Sequence, residues 1–273
     1  MKKDVFDIIV QGGQSNAVGY GLGPVEKEFI PKENIVYLYD GSGEALCETG
    51  LDEACETQPP FVMIKARERT IEGMSCGDFA LSFAEDYIKE GLLSSQRKLL
   101  IIKAAVGGTS FQEGFWGLED KLYRRLLKMV QFALAQNPEN KVVAFLWHQG
   151  ESDADKGNTS EQYKLQLTNL LKDFRRNFGV QIPFIAGDFV NDWKSKNLSI
   201  CEPIVDVIRQ VVKEEGNTGF VETLDLLSND QKINNGDNIH FCREALHQLG
   251  NRYFKIFQKL KEKNGSASFH DDI

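Results

Sequence analysis

The sequence predicts an α/β protein with a mostly parallel sheet covered on both faces by helices. Three observations predict it. Short apolar, β-rich runs alternate along the chain with stretches of helical periodicity. Two of these runs, residues 99–105 and 142–147, are almost continuously apolar, as strands buried on both faces are. The helical stretches carry one apolar stripe and a charged opposite face, which suits helices laid on a sheet. Such alternation implies right-handed βαβ crossovers.

The elements follow in order. Residues 5–10 read as the first strand, and the turn Gly12-Gly13-Gln14-Ser15-Asn16 comes directly after it. Residues 35–39 read as a second strand. The segment 41–75 is long, polar and mixed, and is expected as an irregular insertion near the rim of the sheet. Phe79, Phe83, Tyr87 and Ile88 share one helix face, and the strand at 99–105 follows. Leu122, Leu126, Met129, Val130 and Leu134 mark the next helix, ahead of the strand at 142–147. Tyr163, Leu167, Leu170, Leu171, Phe174 and Phe178 mark another, before a strand at 183–186. A helix through 206–212 and a strand at 220–224 precede the last helix, which carries Ala245, Leu249, Tyr253, Ile256 and Leu260. Residues 1–263 are expected to form one domain, with 264–273 as a frayed tail. Ligand sites in such sheets form at the carboxyl ends of the strands. That puts residues 11–19, 105–111, 148–153 and 188–193 at one rim.

Composition narrows the partners. A formal net charge of -8 repels nucleic acid and anionic membranes, and by itself favours a neutral substrate. The five cysteines are odd in number and irregularly spaced, with no zinc-type spacing, and read as reduced thiols. No apolar h-region precedes the first strand, and no apolar run approaches the ~18 residues that span a bilayer. The expectation is a cytoplasmic protein without membrane or metal; the sequence leaves open a leader already removed and says nothing of oligomeric state.

Ser15 sits on a turn at the rim, beside amides that a following helix leaves without acceptors. A hydroxyl there suits a nucleophile whose oxyanion is met by its own amide; a plain helix cap is the competing reading. Gly73-Met74-Ser75-Cys76-Gly77 matches the G-x-S-x-G elbow, but charged residues 65–70 stand where the elbow needs a buried strand. Ser75 therefore reads as a loop residue. Histidine is scarce, with His148, His240, His247 and His270 the only four. His270 falls in the tail and His247 inside the last helix. His240 follows a turn and has Asp237 three residues ahead, an offset that lets a carboxylate hold one ring nitrogen; a cap with a surface histidine is the alternative. Trp147-His148-Gln149-Gly150-Glu151-Ser152-Asp153 ends the most clearly buried strand. Gln149 could offer a side-chain N–H to an oxyanion, with Gly107 or Gly108 offering a backbone N–H. Asp153 and Asp155 read as the start of a helix. Glu151 could orient His240 in place of Asp237, hold His148 or bind a substrate hydroxyl.

Taken together, Gly13-Gln14-Ser15-Asn16, Gly107-Gly108-Thr109-Ser110, His148-Gln149-Gly150-Glu151-Ser152-Asp153 and Asp237-x-x-His240 resemble the SGNH/GDSL hydrolase superfamily. Within it they are most similar to the carbohydrate-esterase branch of acetylxylan esterases and sialate O-acetylesterase-like proteins. The blocks span residue 8 to about residue 252. The resemblance implies a flavodoxin-like three-layer α/β/α sandwich on a five-stranded parallel sheet, and no cofactor. It implies Ser15 as nucleophile and His240 as base, with Asp237 behind it and Glu151 as the other candidate partner. The oxyanion hole would draw on Ser15, Gly107 (ahead of Gly108) and Gln149. Gln14, Asn16, Thr109, Trp116, His148 and Glu151 are expected near the substrate, an acetylated small molecule or oligosaccharide. Ala17 stands where the branch often has Met.

The main expectation is an acetylxylan-type carbohydrate esterase, with a sialate O-acetylesterase as its alternative. A lipase- or thioesterase-like acyl specificity fits less well, because the rim segments are rich in Gly, Asn, Asp, Trp and Thr. A silent carbohydrate-binding module is the rival from another class. Trp116, Trp147 and Trp193 are candidates to stack on sugar faces, Trp147 equally a core residue.

Overall fold

The computed structural model describes residues 4–24, 29–39, 61–71 and 73–267. Its strands are β1 (Phe6–Gly13), β2 (Gly21–Gly23), β3 (Ile35–Tyr39), β4 (Val62–Lys65), β5 (Arg69–Ile71), β6 (Met74–Gly77), β7 (Lys98–Lys103), β8 (Lys141–His148), β9 (Phe184–Gly187) and β10 (Thr218–Val221). Its helices are α1 (Ser15–Val18), α2 (Phe79–Lys89), α3 (Lys121–Ala135), α4 (Glu151–Asp155), α5 (Ser160–Phe178), α6 (Asn191–Lys196), α7 (Leu198–Glu214), α8 (Asn229–Ile233) and α9 (Arg243–Ala267).

The main sheet runs β10-β9-β8-β1-β7-β3-β4, parallel throughout except for β4, which pairs antiparallel with β3 at one edge. The six strands expected from the apolar runs are all present. The five-stranded sheet implied by resemblance is exceeded, since β10 adds one parallel edge and β4 an antiparallel one. β1 lies between β7 and β8 and is buried along its whole length.

Alternation along β1 divides the interior in two. Ile8 and Val10 pack on the side of α3, α5 and α7, while Ile9 packs on the side of α2 and α9. Fully burying one Leu, Ile or Phe contributes roughly 1.5–3 kcal/mol. Differences in helix propensity are tenths of that. Packing of the apolar stripes therefore fixes these helices, and the three layers follow.

The expected irregular insertion is corrected over its described part. Residues 62–65 extend the main sheet, and 69–71 and 74–77 join β2 in a small antiparallel sheet, β2-β6-β5. β4 and β5 carry only exposed and half-buried residues, and of the three strands only β4 has a short apolar run, Phe61-Val62-Met63-Ile64, to announce it. Ser75 lies inside β6, paired with Gly23 and Thr70. It is neither a loop residue nor an elbow. Helix α9 continues to Ala267, past the expected fraying point. Residues 40–60, with Cys47 and Cys55, and residues 268–273, with His270, lie outside the described residues. Cys201 and Cys242 are buried free thiols, and Cys76 is buried as well. Among the described residues no helix is long and apolar enough to cross a membrane, and no group of three His, Cys, Asp or Glu is placed to hold a metal.

Candidate active site

β1 ends at Gly13, with φ of +131°, where a Cβ would lie 2.0 Å from His148 O on the neighbouring strand. Only glycine lets the two strands close there. Gln14 N donates to His148 O (3.0 Å), and the chain turns at once into α1, whose first residue is Ser15. The far end of α1 rests on a buried ion network. Lys103 Nζ donates to Asp78 Oδ2 and Gln11 Oε1, both at 2.6 Å, and reaches the carbonyls of Ala17 and Val18 at 3.4 Å. Tyr37 OH (2.6 Å) and Gln11 Nε2 (3.0 Å) also donate to Asp78. Burial pushes the Asp78 carboxyl up, but the Lys103 charge and these donors outweigh it and hold it below the usual range.

Gly107 faces Ser15. A Cβ on Gly107 would sit 3.6 Å from Ser15 Cβ and 3.5 Å from the Tyr20 ring, whereas one on Gly108 would meet nothing within 4 Å. The β8 end holds this loop. Asp153 accepts Phe111 N and Gln112 N, both at 3.0 Å, with Gln149 Nε2 at 2.6 Å and Asn158 Nδ2 at 2.7 Å. Gln149 Nε2 also donates to Thr109 O (3.2 Å). An amide has two N–H groups, and both are now committed, one to a charge-assisted bond. The expected Gln149 donor to an oxyanion is therefore not present here; Gln149 fixes the loop that carries Gly107.

Several residues expected at the substrate are internal instead. Gln14 Oε1 accepts Ser152 N (3.1 Å) and Gly150 N (3.4 Å). The Thr109 hydroxyl donates to Val106 O and accepts Trp116 Nε1. Trp116 and Trp147 are fully buried, edge to face with centroids 5.1 Å apart, so neither can stack on a sugar. His148 is fully buried, its Nδ1 on Tyr253 OH (3.0 Å), and burial pushes its imidazole down to about 3. Trp193 is only partly buried, against Phe189.

His240 stands on the segment before α9. Its Nδ1 lies 2.8 Å from Asp237 Oδ2 and 3.0 Å from Oδ1, and its backbone N–H donates to Oδ1 (3.2 Å). Asn229 Nδ2 donates to the same carboxylate (2.8 Å) and to Tyr20 O (3.0 Å). Burial raises Asp237, but the His240 hydrogen bond and charge, with Asn229, outweigh it and hold the carboxyl below the usual range. A carboxylate on Nδ1 keeps the proton there and leaves Nε2 bare. Glu151 does not touch the His240 ring's Nδ1. It is fully buried, and its Oε1 accepts Asn16 Nδ2 (2.8 Å).

Asn16 is the link between the two halves. Its Nδ2 also donates to Ile239 O (3.1 Å), and its Oδ1 accepts Phe241 N (3.1 Å). One amide side chain, adjacent to Ser15, thus grips the residues on both sides of His240. The Tyr20 ring lies 5.4 Å from the His240 ring, and Arg69 stands over Tyr20 at 5.1 Å while donating to Gly19 O (3.0 Å). Among the described residues no hydrogen bond joins Ser15 Oγ to His240, a contact that catalytic groups often tighten only when substrate binds. Sequence reasoning missed Tyr20, Arg69, Asn229, Tyr253 and the loop-holding role of Asp153. Asp153 alone carried a signal, as the end of the polar block after β8.

A hydroxyl, an imidazole and a carboxylate in this order are the parts of nucleophilic acyl transfer. Comparison with known proteins agrees. Residues 5–259 match the family model described as "carbohydrate esterase, sialic acid-specific acetylesterase". The chain is 26% identical over 228 residues to a probable 9-O-acetyl-N-acetylneuraminic acid deacetylase of Escherichia coli K12, covering 70% of this chain and 69% of the relative. It is 24% identical over 191 residues to a probable carbohydrate esterase of Arabidopsis thaliana, covering 65% of this chain and 62% of that one. The crystal structure of NanS superposes with a TM-score of 0.74 at 18% identity, covering 96% of this chain and 99% of NanS, which shows the shared fold. The chain belongs to the carbohydrate esterase family of sialic acid-specific acetylesterases and is a carboxylic-ester hydrolase.

Proposed function

We propose that the protein removes O-acetyl groups from an acetylated sialic acid through an acyl-enzyme on Ser15. Ser15 Oγ attacks the acetyl carbonyl as His240 Nε2 takes its proton. The sugar alkoxide leaves with that proton, and water, deprotonated by His240, then releases acetate and restores Ser15. Asp237 orients the imidazole and stabilises its charged form. The amides of Ser15 and Gly107 meet the oxyanion. The observation that carries this reading is the Asp237–His240 contact, whose neighbours Ile239 and Phe241 are held by Asn16, the residue beside Ser15.

The choice of sugar rests on the family description and on the name of the E. coli relative. It also has local support. The net charge of -8 favours a neutral substrate only for the molecule as a whole. Close to a site, individual charges set the potential, and Arg69 brings a guanidinium to the Tyr20 wall beside His240. A sialic acid carries a carboxylate that such a cation attracts, and a xylan does not. Acetylated sialic acid, its methyl ester, acetylated xylo-oligosaccharides and acyl esters of rising chain length should be compared as substrates. The reading requires the free sialate to be cleaved best, with Arg69→Gln raising KM for it more than for its methyl ester. Preference for xylo-oligosaccharides would return the acetylxylan reading, and equal rates for acetyl and octanoyl esters would favour a general acyl esterase. A chain that binds sugars but hydrolyses none of these would be a binding module.

A further inference from the structure

Glu151 opens α4 and is sealed inside the protein. Its Oε1 accepts Asn16 Nδ2, and its Oε2 has no partner among the described residues. His148 stands close to it, with Nε2 3.9 Å from Oε1 and likewise without a hydrogen bond. Tyr253 gives its single hydroxyl proton to Trp147 O (2.8 Å), so His148 must donate from Nδ1 to the Tyr253 oxygen. His148 Nε2 is then a bare lone pair facing Glu151. An ionised Glu151 would set a second electron-rich atom against it. It would also have only the Asn16 N–H and its own backbone N–H to offset the loss of its hydration, and burying a carboxylate costs more than such bonds return.

The other groups whose charge reaches Glu151, or that feel its charge, do not change this balance. They are His240 across the clamp, Asp188, Cys201 on α7, Tyr163 on α5 and Tyr253 on α9. Burial raises the Glu151 carboxyl and Asp188 adds to it; the Asn16 hydrogen bond, the Glu151 backbone N–H and His240 only partly offset the rise.

We propose that Glu151 is a positioning residue that keeps its proton in the resting protein and, through Asn16, sets where His240 stands relative to Ser15. It needs no charge to do so, because the carbonyl oxygen of a neutral carboxyl accepts from Asn16 as well. The role rests on the Ser15–His240 reading above and deepens it. The sequence offered Glu151 and Asp237 as rivals for one task; the structure gives them two tasks, one ionised at the imidazole and one neutral behind the clamp.

The experiment compares Glu151→Gln, Glu151→Ala and Asn16→Ala with Asp237→Asn and Ser15→Ala, on a small acetyl ester. Glu151→Gln, a neutral group for a neutral group, should keep kcat within about threefold, with an unchanged pH profile of kcat/KM. Glu151→Ala and Asn16→Ala should lower kcat about ten- to a hundredfold while KM moves little, since the ester still binds but meets a misplaced base. The infrared spectrum of the wild type at neutral pH should contain a protonated-carboxyl band that Glu151→Gln removes. Thermal unfolding adds a direction: the unfolded chain gains by ionising Glu151 above about pH 4.3, so the Gln variant should match or exceed wild type, increasingly as pH rises. If Glu151→Ala does not fold, the Gln variant and the infrared band decide. A Gln variant as impaired as Asp237→Asn, or a wild type without the band, would overturn the proposal. If Ser15→Ala stays active, it is the hydrolase mechanism that fails instead.

Discussion

The two halves of the site are built in different ways. Ser15 and the Gly107 loop hang from the ends of β1 and β7, the middle of the sheet, amid buried hydrogen bonds accepted by Asp153 and Gln14 and donated by Gln149 and Lys103. His240 and Asp237 ride on a partly exposed segment outside the main sheet. That segment is held by Asn16, by Asn229, by the bridge between Ser228 and Phe241 and by bonds between Asp230 and the 236–237 backbone. In the proposed mechanism, the groups that would meet the acyl carbon are held by buried side-chain bonds, whereas His240, the proposed proton carrier, is held on a partly exposed segment. The difference predicts where damage is absorbed and where it is not.

The most severe test is Ser15→Ala, which should lower hydrolysis of a small acetyl ester by about 10⁴-fold or more with circular dichroism unchanged. Retained turnover would remove Ser15 from the chemistry. Asp237→Asn should follow, at about 10³- to 10⁴-fold, because an amide leaves the wrong tautomer unpenalised. Asp153→Ala probes the half held by buried bonds. It strands the Phe111 and Gln112 amides, and should cost about 2–4 kcal/mol in urea unfolding together with a measurable fall in kcat. A loss of activity without a loss of stability would mean that Asp153 meets the substrate directly.

The weaker tests concern the setting. His148 is neutral and buried, its imidazole held at about 3, whereas the unfolded chain takes up a proton near the usual 6.5. The unfolded state therefore binds more protons between these values. Stability should fall as pH drops below about 6.5 toward 3, and His148→Asn should flatten that decline in urea midpoints. The smallest effects separate the two glycines. Gly108→Ala meets open space and suffers only its φ of +67°, about 1 kcal/mol. Gly107→Ala fits sterically at 3.5–3.6 Å but narrows the space over Ser15, so it should raise KM with little change in stability.

Much of the scaffold was legible because parallel strands buried on both faces leave continuous apolar runs, as at 99–105 and 142–147. β5 and β6 were not, because such short surface strands leave too little pattern, and β4 rests on four apolar residues, 61–64, inside a segment that otherwise reads as irregular. Ser15, His240 and Asp237 stood out through the turn, the scarcity of histidine and the three-residue offset. The substrate residues were less legible. A polar residue beside a catalytic motif can face the ligand or brace the motif from behind, and sequence spacing is the same for both. Gln14, Thr109, His148 and Gln149 turned out to brace. Tyr20 meets His240, and Arg69 meets Tyr20, only through tertiary packing, which no sequence spacing announces.

One consequence concerns the order in which the chain assembles. β1 is made first, yet it pairs with β7 and β8, which begin about 90 and 135 residues later. The Asn16–Phe241 bond that completes the clamp closes a span of 225 residues. Long-range pairings of this kind are slow to form, since closure entropy must be met before contacts repay it. During synthesis the Ser15 turn leaves the ribosome long before the His240 segment it must meet, and is among the last parts to find its partners. Recovered esterase activity after denaturation should accordingly lag behind recovered helix, marking the end of folding and not its beginning.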